Sequence, residues 1–278
     1  MKKKAPINER LIERPRNHFF LVAGVGHCGT KWLAHVLHRP VDRIVCYHEE
    51  KLQNVPLNWK NCLQHEFEKG LDFIFDDYFS FMQRELETYT VAGDSNSWTM
   101  YMIPEVSARL PVAKIIYLVR NGIQSVHSFF YHNLHIPYND FLYTKFFRHY
   151  WELIGCPGGN WNEYSPWACW CLWWQVNQFM PSWLADHLND IEIMVYRFED
   201  LIENTHLLSD LIKKLQKYAK PSHEDLMVFQ QTEINQKIQG DRSPLSLWNK
   251  WSDEQRSTFK YICGSSMEHY GYELPWKN

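Results

Sequence analysis

The chain of 278 residues sets 29 Lys and Arg against 32 Asp and Glu, for a formal net charge of -3, and is 45% hydrophobic and 16% aromatic. That length suits one large domain with a sizeable core, and the acidic balance argues against a general nucleic-acid binder, which is normally basic. Seven Cys without metal-type spacing suit the reduced thiols of a cytoplasmic protein, and no run reaches the roughly 18 apolar residues of a membrane span.

The first 16 residues (MKKKAPINERLIERPR) are polar and charged; they read as an exposed arm and lack the apolar stretch of a signal peptide. Residues 19–25 (FFLVAGV) read as a central buried strand, with a helix at 31–38. A short strand is expected at 43–47, ending at His48-Glu49-Glu50. Helical spacing follows at 73–87, then a strand at 90–92 that stops at Gly93-Asp94-Ser95-Asn96. Residues 104–110 read as helical, 114–119 as a second buried strand with Arg120 at its end, and 122–132 as a helix. A Gly- and Pro-rich loop at 155–166 leads into one Trp-dense helix over 166–188. Its Trp spacings of three, three and one are mainly those of a core-facing helix, while aromatic faces near carboxylates also suit a cationic acceptor. Residues 191–196 read as a strand, 205–219 and 222–231 as helices, 232–247 as a loop and 252–270 as a final helix. Strands alternating with helices predict an α/β domain, single over 1–278, with a central parallel sheet flanked by helices.

The turn after the first strand carries chemistry. Gly24 and Gly29 have the spacing of the Walker A pattern G-x-x-x-x-G-K-S/T, and the N–H groups of the following helical turn point at an anion. Thr30-Lys31 reverses the required order, and Trp32 stands where a kinase places its Mg²⁺-binding hydroxyl. The loop therefore suggests a phosphate-bearing ligand without that metal. In open α/β sheets ligands sit beyond the carboxyl ends of the strands, and polar clusters fall there at 26–31, 48–50, 93–96 and 120–128. Arg120 and Ser128, eight residues apart, predict a second phosphate site, since a guanidinium forks onto phosphate oxygens.

HCGTKW (27–32) resembles the 5′-phosphosulfate loop of sulfotransferases, and KIIYLVRNGIQSVHS (114–128) resembles their 3′-phosphate motif. RFEDL (197–201) is similar to the family's YEDL segment, and the tail from KIQGDRSPLSLW to HYGYEL resembles its closing region. The resemblance implies a P-loop NTPase-like sulfotransferase fold. It also implies a metal-independent enzyme that uses 3′-phosphoadenosine-5′-phosphosulfate (PAPS) and releases 3′-phosphoadenosine-5′-phosphate (PAP). On that pattern Cys28, Gly29, Thr30 and Lys31 hold the 5′-phosphate and Trp32 packs on the adenine. Arg120 and Ser128, with Lys237, take the 3′-phosphate.

The chain departs from the family at His27, where Lys or Arg is usual, at Cys28, which replaces Ser, and at Phe198, which replaces Tyr. A phosphate neighbour favours the cationic form of an imidazole, so His27 is a pH-dependent substitute with Lys31 as the permanent charge. The general base must lie at a strand end. Asp94 matches the position of the catalytic His of small-molecule members, and Glu49 resembles the basic Glu of tyrosylprotein-type members. His48 and Glu50 are then expected to bind the acceptor. That acceptor is expected to be a small molecule sulfated on a hydroxyl or a nitrogen, and the resemblance to bacterial natural-product tailoring sulfotransferases suggests a guanidinium alkaloid such as saxitoxin. Neither nucleic acid nor membrane is an expected partner, and the oligomeric state stays open. Two other readings remain: a P-loop kinase using ATP and Mg²⁺, and a PAP-binding protein without catalysis.

Overall fold

The computed structural model describes residues 19–48, 67–95, 103, 106–107, 110, 112–132, 164–188, 190–215 and 243–277. An unbroken apolar run needs cover on both faces, and β1 (Phe19–Gly24) has all six residues buried. It lies at the centre of the sheet. β3 (Val91–Ser95) and β4 (Val112–Val119) flank it, and β2 (Ile44–His48) and β5 (Glu192–Arg197) are the edges, in the order β2-β3-β1-β4-β5. Every pairing is parallel, so all the strands deliver their carboxyl ends to the same side. The edge strand β5 is more open, with Glu192 and Val195 exposed, and Glu192 pairs with Lys114 of β4.

Helix α1 (Thr30–Leu37) buries Thr30, Leu33, Ala34 and Leu37, one helical stripe, against β1, β2 and β3. α2 (Phe67–Thr88) packs on β3. α3 (Gly122–His132) leaves the end of β4. α4 (Pro166–Asn177) packs between α3 and α9 (Asp253–His269). Between them in the chain come α5 (Met180–His187), α6 (Phe198–Glu203), α7 (Thr205–Leu215) and α8 (Pro244–Lys250). The result is an α/β fold with a central parallel sheet flanked by helices. Among the described residues, one layer is aromatic. Trp167 meets Trp251 at 4.6 Å, and Trp248 meets Trp251 and Trp276 at 5.5 and 5.0 Å, around a buried Phe259.

Three expectations change. β3 does not stop at Gly93 but runs through Gly93, Asp94 and Ser95. A Cβ at Gly93 would lie 2.3 Å from the Phe20 ring, so this glycine gives room to a neighbour and does not break the strand. The Trp-dense segment is two helices, parted at Gln178–Phe179, because Pro181 cannot continue the hydrogen-bond ladder. The expected loop at 232–247 contains the start of α8, where the Ser243 hydroxyl accepts from the Ser246 N–H and Pro244 opens the helix. The arm at 1–16, most of the loop at 155–166 and the helix at 222–231 lie outside the described residues.

Candidate functional site

The loop between β1 and α1 is shaped by what surrounds its glycines. A Cβ at Gly24 would meet the Leu118 carbonyl oxygen at 2.5 Å and the Cys28 sulfur at 2.7 Å. Gly29 has φ +95°, and a Cβ there would lie 2.0 Å from the Phe198 ring. His27 also takes a left-handed backbone, at φ +60°, without being glycine. Cys28 turns inward and is fully buried, with its N–H on the Val25 carbonyl at 3.1 Å. Burial pushes its thiol up to about 12, against the opposing pull of Arg120 and the Thr30 backbone. It is therefore a neutral packing group, and its N–H is already used.

The donors toward an anion belong to the start of α1. Gly29 caps the helix without a side chain, no acidic residue stands in the first turn, and the first helical bond is Leu33 N–H to Gly29 carbonyl at 3.0 Å. The earlier N–H groups of such a turn have no partner within the helix, and its positive dipole end faces the loop. Lys31 is exposed on that turn. Thr30 is buried, and its carbonyl accepts the Ser95 hydroxyl at 2.8 Å, which fixes α1 to the end of β3. Trp32 is half-buried, edge-on to Phe198 at 5.6 Å.

β4 brings the second cluster to the same place. Arg120 Nη1 donates to the His27 carbonyl at 2.5 Å, and Ser128 Oγ lies 3.3 Å from His27 Nδ1. The His27 ring stands edge-on to Phe129 at 4.9 Å, and the Arg120 guanidinium lies 5.5 Å from the Phe198 ring centre. His27, Gly29, Trp32, Arg120, Ser128 and Phe198 thus form one group beyond β1, β4 and β5. In the sequence Phe198 is only a departure from a motif; in the fold it touches the loop, Trp32 and Arg120. Asn121 is also new. Buried beside Arg120, it caps α3, its Oδ1 accepting from the Ile123 and Gln124 N–H groups at 3.0 and 3.4 Å.

The candidate carboxylates are placed unequally. Asp94 is only 1% exposed, and Tyr78 donates its hydroxyl to Oδ2 at 3.2 Å. Burial, and then Asp94 itself, raise the Tyr78 hydroxyl well above its ordinary value, and the same two causes raise the Cys46 thiol. His48 ends β2, with Nδ1 2.8 Å from the Ser95 carbonyl. Glu49, Glu50 and Lys237 lie outside the described residues. The tryptophans of α4 go mainly to packing: Trp167, Trp173 and Trp174 are buried, and Trp170 stacks on Phe129 at 5.2 Å. Among the described residues, no group of three or more His, Cys, Asp or Glu could hold a metal ion, and no helix is long and apolar enough to cross a membrane.

Comparison with known proteins gives one decisive match. No curated protein matches the chain at a significant level. The sulfotransferase domain from the curacin biosynthetic pathway is 17% identical, covering 93% of this chain and 99% of that one, at a TM-score of 0.45. The sulfotransferase domain of the Synechococcus PCC 7002 olefin synthase is 14% identical over 93% and 96%, at 0.46. Mouse sulfotransferase SULT7A1 complexed with PAP is 14% identical over 91% and 86%, at 0.45. The description of the sulfotransferase domain family, by contrast, matches residues 17–237, from before β1 to beyond α7. On that match the chain is an enzyme of the sulfotransferase family.

Proposed function

We propose that this chain is a single P-loop-like domain that transfers a sulfuryl group from PAPS to a small-molecule acceptor and releases PAP. The observation that carries the reading is the meeting of two phosphate-binding chemistries at His27. The uncapped start of α1 lies on one side of it, and Arg120 with Ser128 on the other. A ligand with phosphates at both its 5′ and 3′ positions suits that pair of sites.

In this reading the N–H groups from Gly29 to Trp32, with Lys31, hold the 5′-phosphate. Arg120 and Ser128, with Lys237, hold the 3′-phosphate, and Trp32 packs on the adenine. His27 and Lys31 face the leaving phosphate. Charge builds there as the sulfuryl bond breaks, and fixed donors at that point lower the barrier without a metal. One carboxylate, Glu49 or Asp94, takes the proton of the acceptor, and His48 and Glu50 bind the acceptor itself. The acceptor class that suits these acidic groups is a hydroxyl or amine-bearing cation, such as a guanidinium alkaloid of the saxitoxin type.

The test is calorimetric titration with PAP, followed by a PAPS-dependent acceptor screen read by mass spectrometry for an added sulfuryl group. PAP binding with transfer in the presence of a chelator supports the reading. Turnover with ATP and Mg²⁺ but none with PAPS would replace it by a kinase. PAP binding without transfer to any acceptor would leave a nucleotide-binding protein.

A further inference from the structure

Two segments singled out by the sequence, RFEDL and HYGYEL, have no part in the reaction as described so far. In the fold they meet behind Arg120. Glu199 Oε1 accepts the Asn121 N–H at 3.0 Å, which is the peptide that follows Arg120. Glu199 Oε2 accepts the Tyr272 hydroxyl at 3.0 Å. Arg197 stacks on the Tyr272 ring at 4.5 Å and donates to the Gly271 carbonyl at 3.3 Å, so the C-terminal segment is held against the end of β5. On the other side of the same stretch, the buried Trp174 indole donates to the Arg120 carbonyl at 3.1 Å. The backbone that carries Arg120 is therefore gripped at its carbonyl and at the next N–H, by two different elements.

We infer that Glu199 and Tyr272 are positioning residues that set the direction of the Arg120 side chain and so the affinity for the 3′-phosphate of the nucleotide. The inference rests on Arg120 being that phosphate's ligand. The physical reason is geometric. A guanidinium binds phosphate through a planar fork, and a small rotation of its backbone moves the fork off both oxygens. Asn121 ties the same point to the cap of α3, which carries Ser128, so one carboxylate steadies both ligands of the 3′-phosphate. The Tyr272 hydroxyl is buried, and burial followed by the nearby Glu199 charge keeps its proton in place, so it remains a donor.

The test compares binding of PAP with binding of adenosine 5′-monophosphate, which lacks the 3′-phosphate, in single variants and in the Arg120→Ala background. Glu199→Ala should weaken PAP on the order of tenfold, the loss expected for a hydrogen bond to a charged group, and leave adenosine 5′-monophosphate unchanged. Glu199→Gln should restore most of the affinity, because its amide oxygen still accepts the Asn121 N–H. In the Arg120→Ala background the Glu199→Ala loss should vanish, since coupled residues are not additive. If Glu199→Ala does not fold, Tyr272→Phe reads the same coupling with a smaller loss. Equal losses with and without Arg120, or equal losses for both nucleotides, overturn the proposal and leave a merely structural contact. So does full PAP affinity in folded Glu199→Ala when Arg120→Ala is impaired. If Arg120→Ala itself binds PAP normally, the assignment of the 3′-phosphate to Arg120 fails first and the proposal falls with it.

Discussion

Arg120 donates from Nη1 to the carbonyl oxygen of His27 at 2.5 Å, a bond that fastens the end of β4 to the turn after β1. The two segments proposed to bind phosphate, His27 and Arg120 being 93 residues apart in the chain, thus touch in space. A phosphate offers a charge and two oxygens where the carbonyl offers one neutral oxygen, so the guanidinium prefers the phosphate. Arg120→Ala should therefore weaken PAP by about 2–4 kcal/mol, measured by calorimetry. Arg120→Lys should recover only part of that loss, because an ammonium lacks the fork. Unchanged PAP affinity in Arg120→Ala removes the second phosphate site.

Gly29 and Phe198 make a second prediction. Gly29→Ala puts a methyl group within the Phe198 ring and asks a non-glycine residue to hold φ +95°. The cost should be about 1–3 kcal/mol of stability, seen as a lower Tm, with PAP binding lost as the helix start shifts. Adding Phe198→Ala removes the clash but not the backbone strain, so the pair should regain part of the Tm. A Gly29→Ala variant with wild-type Tm and PAP affinity would mean that the loop is not held as described.

These two sites show how far the sequence could be read. β1, β4 and α3 are visible because unbroken apolar runs and a following polar turn leave few alternatives, and the observed α3 spans Gly122–His132 as expected. β3 is cut short in the sequence because Gly, Asp and Ser are poor strand formers; only the Phe20 ring beside Gly93 explains the glycine. The roles of Phe198 and Glu199 are invisible for another reason. Their partners, Gly29 and Tyr272, are far away in sequence, and nothing in RFEDL itself names them. Local pattern finds elements and glycine turns; it does not find contacts made across the sheet.

The base can be assigned by separating turnover from binding. Asp94 is closed in and accepts from Tyr78, whereas Glu49 immediately follows the last residue of β2. A base must reach the acceptor proton, which the closed setting of Asp94 does not favour. Glu49→Gln should lose turnover by roughly two to four powers of ten while keeping PAP affinity. Asp94→Asn should chiefly lower the Tm. The opposite pattern assigns the base to Asp94, and full turnover in both variants removes both carboxylates from the role.

Stability should fall at alkaline pH. The unfolded chain releases the Cys28 proton near its ordinary value of 9.0, while the folded protein keeps it up to about 12. Above pH 9 the folded state therefore binds more protons, so stability is lost as pH rises through that window. At pH 10 this one group should cost about 1.4 kcal/mol relative to neutral pH. Denaturant titrations at pH 7 and 10 should show that loss, and Cys28→Ala should be less sensitive to the same change by about that amount. Identical pH dependence in the variant and the parent would show that the buried thiol is not responsible.

The role proposed for His27 predicts a change in turnover and not in binding. Where the family places a permanent cation, this chain has an imidazole held by Ser128 on one side and Phe129 on the other. In the proposed reading it faces the leaving phosphate, where charge develops only as the bond breaks, so its loss should appear in kcat rather than in PAP affinity. With PAPS and acceptor saturating, His27→Gln should lower kcat while PAP affinity holds. His27→Lys should keep kcat, because a charged donor then stands at the same place. Unchanged kcat in His27→Gln would assign the leaving-group charge to Lys31 alone, in which case Lys31→Gln should abolish transfer.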